Sequence, residues 1–417
     1  MRSTSEVSVK RRKVFYIPGY DPFPPRRYRE LYRSEGASQA ALSGYHLSMT
    51  HGLAGDGFGW CVDMEIDGAV TETEIEVLVW SDIVQDSFGS AVWMTYWAMV
   101  RTAWVYFSTG AIWRLMRLRK GPVIAAFYPV LVLLLQLAGS VGLTWWVSKV
   151  ALALANDGLV AFGWVARSTV EVLVYGVAIL GAVWILRMFQ KHDGKVFAHY
   201  LMLDFAYSAS KLGAYPDQLS ERLKIFSDQI SAALETEVDE VLVVGHSSGA
   251  HLAVTALAQV MRQTDAAQKS ALSFLSLGHV VPMVSFLPAA DELRRDLRFL
   301  STRSDLTWVD VTAPGDGCSF ALCDPVGVSG QTTPQKQSPL VMSAAFTQSL
   351  SPERWRALRW RFFRLHFQYL CAFDQPKDYD YFQITGGALT LAERYKGRPQ
   401  SPSRITRSVT KFTATAS

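Results

Sequence analysis

Two glycines bracket a pair of serines in Gly245-His246-Ser247-Ser248-Gly249, and the pentapeptide sits between the β-branched run EVLVV and the alanine-rich AHLAVTALAQV. A serine hydroxyl is a weak nucleophile, so acyl transfer through it needs a base to take its proton and donors to hold the oxyanion. A strand, a sharp turn and a helix supply part of that machinery. The turn lifts the Ser247 hydroxyl clear of the sheet edge, and Gly245 and Gly249 remove side chains that would collide within it. The helix that starts behind Ser247 aims backbone N–H groups at the reacting centre, that of Ser248 first. Small residues at Gly249, Ala250 and Ala253 let this helix approach the sheet closely. His246 and His251 flank the turn and are expected to be structural.

The elements needed to position such a turn are legible on either side. KVFYIPG reads as a short buried strand, and PPRRYRELYRSEGASQAALSG as a helix opened by prolines and closed by Gly44. YHLSMT and EIEVLVW read as further strands, with HGLAGDGFGWCVDMEIDGAV between them as loop and hairpin. Its Gly-x-Gly spacing is turn-like, since no helix opens after it to cradle a phosphate. Later, DQLSERLKIFSDQISAALE is an amphipathic helix, EVLVVG a strand and AHLAVTALAQVMRQ a helix. ALSFLSLGHVV, PAADELRRDLRFLS and LTWVDVTAP continue as strand, helix and strand. This alternation predicts an α/β fold with a mostly parallel sheet covered by helices on both faces.

In GHSSG with its strand and helix, in YIPGYD after an early strand, and in the alternation to about residue 320, the sequence resembles the α/β-hydrolase superfamily. The resemblance implies a serine esterase or lipase-like activity. Pro18-Gly19-Tyr20 stands where such proteins carry a glycine motif, often opened by histidine, so the resemblance implies a Tyr20 or Gly19 N–H as second oxyanion donor. The first two strands of the usual sheet have no counterpart ahead of KVFYIPG. The family's order of nucleophile, acid and histidine implies Asp316 as acid, with Asp310 and Asp324 as weaker candidates. The same order leaves His366, in RFFRLHFQYL, as base; His279 is the competing choice from an unusual order.

A membrane hairpin interrupts the predicted sheet. No charged residue falls between Lys120 and Lys149, and VIAAFYPVLVLLLQLAGSVGLTWWV exceeds the roughly 20 residues needed to cross hydrocarbon. Spans are expected at about 122–148 and 167–188; Glu171 lies near one end of the second, within reach of headgroups. Arg114, Arg117, Arg119 and Lys120 precede the first and Arg187, Lys191 and Lys195 follow the second, which puts both flanks in the cytoplasm by the positive-inside rule. The stretch 88–113 with Trp93, Trp97, Trp104 and Trp113 is either an interfacial helix or a third span with Arg101 buried. An even number of crossings keeps the strands on one side of the bilayer, which favours the interfacial helix. The expected division is 1–86 and 191–397 as the two parts of one hydrolase domain, 87–190 as the membrane insertion, and 398–417 as a disordered tail rich in Ser, Thr and Arg.

Composition bounds the rest. The 417 residues are 49% hydrophobic with a net charge of +4, high in apolar content for a soluble enzyme and without a basic footprint for nucleic acid. Cys61, Cys318, Cys323 and Cys371 form no C-x-x-C pair and lie outside zinc spacings, so free thiols, no metal and no cofactor are expected. The expected function is a membrane-tethered serine hydrolase with a Ser247-His366-Asp316 triad. Its substrate is an acyl ester or thioester, with lipid esters favoured by location and acyl transfer as the neighbouring chemistry. A hydrolase-like membrane scaffold or binding module without catalysis is the alternative.

Overall fold

A computed structural model of the chain describes residues 8–20, 24–52, 57–83, 91–159, 164–263 and 271–415. The chain forms two compact units, one of Met1–Ile83, Val105–Val123 and Ser208–Ser417, the other of Val84–Trp104 and Ile124–Tyr207. Asp21 of YIPGYD and the opening of the 88–113 stretch lie outside the described residues.

The first unit holds an α/β fold around one mixed, mostly parallel sheet. Its strands are β1 (Arg11–Ile17), β2 (His46–His51), β3 (Gly59–Ile66), β4 (Ala69–Val77), β5 (Glu240–His246), β6 (Ala271–Leu277), β7 (Leu306–Thr312) and β8 (Leu340–Ser343), in the order β2-β3-β4-β1-β5-β6-β7-β8. From β4 to β8 neighbouring strands run parallel, and β2 and β3 extend the sheet as antiparallel strands. Strand β5 is buried along its whole length, which is why it reads as an unbroken apolar run rather than an alternating one.

Among the described residues, the helices include α1 (Arg26–Ser43), α2 (Val92–Ser108), α3 (Ala111–Leu118), α4 (Lys120–Leu159), α5 (Trp164–Lys191), α6 (Ala198–Ala209), α7 (Asp217–Leu234), α8 (Gly249–Gln263), α9 (Asp291–Ser301) and α10 (Phe362–His366), and further short helices accompany them. Helix α1 closes on Gly44 at φ 76°, the left-handed C-terminal cap that its sequence predicts. Helix α8 is buried on nearly every side, as its small and aliphatic composition requires.

The hairpin read in HGLAGDGFGWCVDMEIDGAV does form, as β3 joined to β4 by a tight turn at Asp67 and Gly68 with φ of 52° and 80°. Three sequence expectations need correction. The sheet edge expected to be missing is built from strands that follow α1. Residues 105–123 were expected in the insertion but belong to the sheet unit, where Ala111, Leu115 and Leu118 of α3 are buried. Tyr106 Oη donates to the Met283 carbonyl at 2.9 Å and Arg119 Nε to that of Ala321 at 2.9 Å.

Residues 398–415 of the tail are ordered within the sheet unit. Ser401 N–H donates to Val341 O at 2.9 Å, Ile405 N–H to Leu322 O at 2.7 Å, and Asp324 N–H to Ile405 O at 2.9 Å. Fully buried Arg294 donates to the carbonyls of Ser285, Leu287 and Pro288, and reaches Ala414 O at 2.7 Å. Polar composition suggested disorder, but the segment is held through its backbone, which composition does not register.

Lys120–Leu154 of α4, which lies in the second unit from Ile124 onward, and Ser168–Lys191 of α5 are long and apolar enough to cross a membrane. Only 6% of the apolar window in α5 is buried, so its leucines and valines are not those of a soluble core. A small cluster of Met99, Leu133, Ala198 and Met202 packs inside the same unit.

Candidate active site

Ser247 follows β5 directly at φ 58°, a left-handed conformation that a residue with a β-carbon adopts at a cost of about 1–3 kcal/mol. Its N–H donates to Leu277 O at the end of β6 at 2.9 Å, and its side chain is half-buried. The turn closes only because its neighbours are glycines. A β-carbon on Gly249 would lie 2.1 Å from Ile17 O, and one on Gly245 would lie 2.7 Å from Ala250 Cα. The end of β1 thereby reaches the start of α8.

That contact brings the Pro18-Gly19-Tyr20 loop to Ser247. A β-carbon on Gly19 would meet Ser247 Cβ at 2.9 Å and Oγ at 3.4 Å. The Tyr20 N–H points to Ser248 Oγ at 3.4 Å, a long and weak hydrogen bond. Trp80 Nε1 donates to Pro18 O at 2.9 Å and fixes the loop from the other side. Gly19 thus lies against the Ser247 side chain, while the Tyr20 N–H is turned to the neighbouring Ser248 hydroxyl.

His366 ends α10, and Asp316 lies in the loop four residues beyond β7. They form a buried pair, with His366 Nδ1 2.8 Å from Asp316 Oδ2. The Asp316 carboxylate also accepts from Tyr369 Oη at 3.0 Å and, through Oδ1, from the Cys318 N–H at 2.9 Å. Burial alone would raise its pKa, but the adjacent imidazole and these donors hold it below the ordinary carboxylate range. A carboxylate so placed keeps the proton on Nδ1 and leaves Nε2 as the basic atom. Nε2 is buried and has no hydrogen-bond partner; the bond to Ser247 Oγ is not formed. Both residues approach the Leu277–Gly278 turn, Ser247 through its N–H to Leu277 O, and His366 because a β-carbon on Gly278, at φ 52°, would lie 3.1 Å from its Cε1.

His246 packs against His366. Its ring centroid is 4.8 Å from that of His366, and its Nε2 bonds to the His366 carbonyl at 3.1 Å, which fixes that nitrogen as the donor. Burial, reinforced by the neighbouring His366 ring, lowers its pKa to about 3, so it stays neutral. His251 is also buried, stacked on Tyr215, and lowered by burial to about 3. Because the unfolded chain protonates His251 near 6.5 while the folded chain does not, its contribution to stability is lost as pH falls from 6.5 toward 3. In detergent, the stability difference between wild type and His251→Gln is expected to shift in favour of the variant by about 1.4 kcal/mol per pH unit below 6.5. A difference that stays constant from pH 7 to 4 contradicts this.

The other sequence candidates lie elsewhere. His279 is fully buried, with Nε2 2.9 Å from Cys323 O and 3.6 Å from Asp310 Oδ2. Asp310 is raised by burial to about 6, against the pull of His279, and accepts from Ser276 Oγ. Asp324 caps a short helix through the N–H groups of Val326 and Gly327. Sequence reasoning missed Tyr369, whose hydroxyl accepts from Ala313 N–H at 2.9 Å while donating to Asp316. Tyr369→Phe strands a buried N–H, and urea unfolding is expected to show a loss of about 1–3 kcal/mol; unchanged stability contradicts the assignment.

Asp316, Cys318 and His366 present three atoms within 4.8 Å of one another, a spacing open to metal ligation. The chemistry of the set suits a hydrogen-bonded carboxylate–imidazole pair. Burial, with Asp316 beside it, pushes the Cys318 thiol well up and keeps it a poor ligand, and the carboxylate oxygens already accept from His366, Tyr369 and Cys318 N–H. The four cysteines are free.

Comparison of the chain with protein-family models, with curated proteins and with solved structures returns no match.

Proposed function

We propose that this chain is a serine hydrolase of α/β-hydrolase type, held at a membrane by α4 and α5, that cleaves acyl esters through Ser247, His366 and Asp316. The observation that carries the reading is Ser247 at φ 58° between a fully buried strand and a helix, beside a buried His366–Asp316 pair. A left-handed serine costs free energy without helping the fold, and strain of this kind concentrates where function requires it. The sheet order, with β1 between β4 and β5 and parallel to both, supports the same assignment.

In this reading His366 Nε2 takes the proton of Ser247 as Oγ attacks the carbonyl carbon, while Asp316 orients the ring and stabilises its cation. The developing oxyanion accepts from Ser248 N–H and from the Gly19–Tyr20 backbone, each donor being worth about 3 kcal/mol in the transition state. The leaving alcohol or thiol departs with the proton from His366. Water, activated by the same imidazole, then releases the acyl group. The Ser247–His366 hydrogen bond forms as substrate binds, because such bonds are often long or absent in unliganded enzymes.

The membrane part rests on α4 and α5 as two crossings, with the basic residues around 114–120 and 187–195 on the cytoplasmic side. An enzyme held there meets amphiphiles at high local concentration, so a lipidic acyl ester is the favoured substrate. The test is labelling of the full chain, reconstituted in lipid, with a fluorophosphonate. Wild type is expected to label and Ser247→Ala to lose the label completely. Equal labelling of both proteins, or none in folded wild type, leaves a non-catalytic membrane scaffold as the better reading.

A further inference from the structure

Helix α2 carries a bare aromatic face. Trp93, Trp97, Val100, Trp104 and Phe107 recur every three or four residues, lie within one side of the helix, and are 45 to 72% exposed. The opposite side is closed: Thr95, Met99, Thr102 and Tyr106 are at most 7% exposed. Tryptophans exposed to water at this density on a single face are unfavourable unless something apolar covers them.

Charge and connectivity say what that is. No Asp or Glu occurs between Asp86 and Asp157, whereas Arg101, Arg114, Arg117, Arg119 and Lys120 do, a pattern that suits anionic headgroups. Strands β1 to β4 precede α2 and β5 to β8 follow α5, yet all eight belong to one sheet. A chain that leaves a sheet on one side of a bilayer and returns to it crosses an even number of times. Helices α4 and α5 supply two crossings, so α2 supplies none. Three tryptophans on one face are the composition of the headgroup boundary rather than of the hydrocarbon centre.

We propose that α2 lies in the plane of the membrane, with the Trp93, Trp97 and Trp104 face seated in the headgroup boundary of the leaflet that adjoins the sheet unit. This rests on the reading of α4 and α5 as crossings, but not on catalysis.

The test is the depth of nitroxide labels in the full chain, reconstituted in phosphatidylcholine and phosphatidylserine vesicles. Labels are placed singly at Trp93→Cys, Trp104→Cys and Leu180→Cys, the last on α5, and the parent chain serves to subtract reaction of the native cysteines. Trp93 and Trp104 are eleven residues apart, roughly 16 Å along a helix axis. The expected result is one shallow, oxygen-accessible depth for both, with Leu180 deep. Depths that differ by roughly 16 Å, which is a third crossing, overturn the proposal. So do labels at both α2 sites in water, or label-to-label broadening between copies while Leu180 remains deep. A Leu180 label in water overturns the crossings themselves and the α2 proposal with them, separately from any result with fluorophosphonate. Phe107→Cys repeats the measurement from the far end of the helix if one tryptophan variant fails to fold.

Discussion

His366→Ala is expected to lower turnover of a soluble activated ester by about four to six orders of magnitude, while His279→Ala leaves it within about tenfold of wild type. Both histidines lie beyond Ser247 in sequence, and both face a carboxylate, so the contrast has to come from geometry. His366 Nδ1 is 2.8 Å from Asp316 Oδ2, its Nε2 is unpartnered, and its ring lies at the Leu277–Gly278 turn that Ser247 also approaches. The Nε2 of His279 is committed to Cys323 O at 2.9 Å, and no part of the residue is exposed. Removing His279 is expected to weaken the fold by about 1–3 kcal/mol, the cost of leaving the partners of a buried polar group unsatisfied. Melting temperature and kcat measured on the same preparations separate the two effects. Loss of turnover in folded His279→Ala, with activity retained in His366→Ala, reverses the assignment.

The second large effect belongs to Asp316→Asn, for which kcat is expected to fall about 10,000-fold with substrate binding little changed. The carboxylate accepts three hydrogen bonds here, from His366 Nδ1, Tyr369 Oη and Cys318 N–H. Asparagine has one acceptor oxygen for the same donors and turns an N–H₂ toward one of them. If the amide nitrogen faces His366, the ring is driven to the tautomer with its proton on Nε2, the wrong atom for a base. Asp310→Asn and Asp324→Asn are the controls, since neither carboxylate touches His366: Asp310 accepts from Ser276 and Asp324 caps a helix. A fall in kcat as large in either control as in Asp316→Asn removes the case for Asp316 as the orienting acid.

The pattern of what was legible in the sequence follows from the range of each interaction. The turn at Ser247 is local: an apolar strand, two glycines and a small-residue helix name it within about a dozen residues. The parallel strands β5, β6 and β7 are legible for the same reason, as solid apolar runs bounded by turns. Tyr369 was not legible, because its role depends on a contact across 53 residues that no spacing encodes. Nor was the contact of His246 with His366, made through a backbone carbonyl 120 residues away. Gly278 had no signal either; its positive φ matters only because the rings of His366 and Tyr369 crowd it. The ordered tail was missed because hydrogen bonds from its own backbone, and from Arg294 to the Ala414 carbonyl, hold it without an apolar pattern. Helix α2 was half legible: its tryptophans were plain, and the closed opposite face that decides its orientation needed three dimensions.

The central claim is that the oxygen of residue 247, and no other, makes the bond to the acyl carbon. Tandem mass spectrometry of the reconstituted chain after reaction with a fluorophosphonate reads this residue by residue. The adduct is expected on Ser247 alone, in a peptide where Ser248 is the adjacent hydroxyl and serves as internal control. An adduct on Ser248, or on any residue outside the turn, contradicts the account.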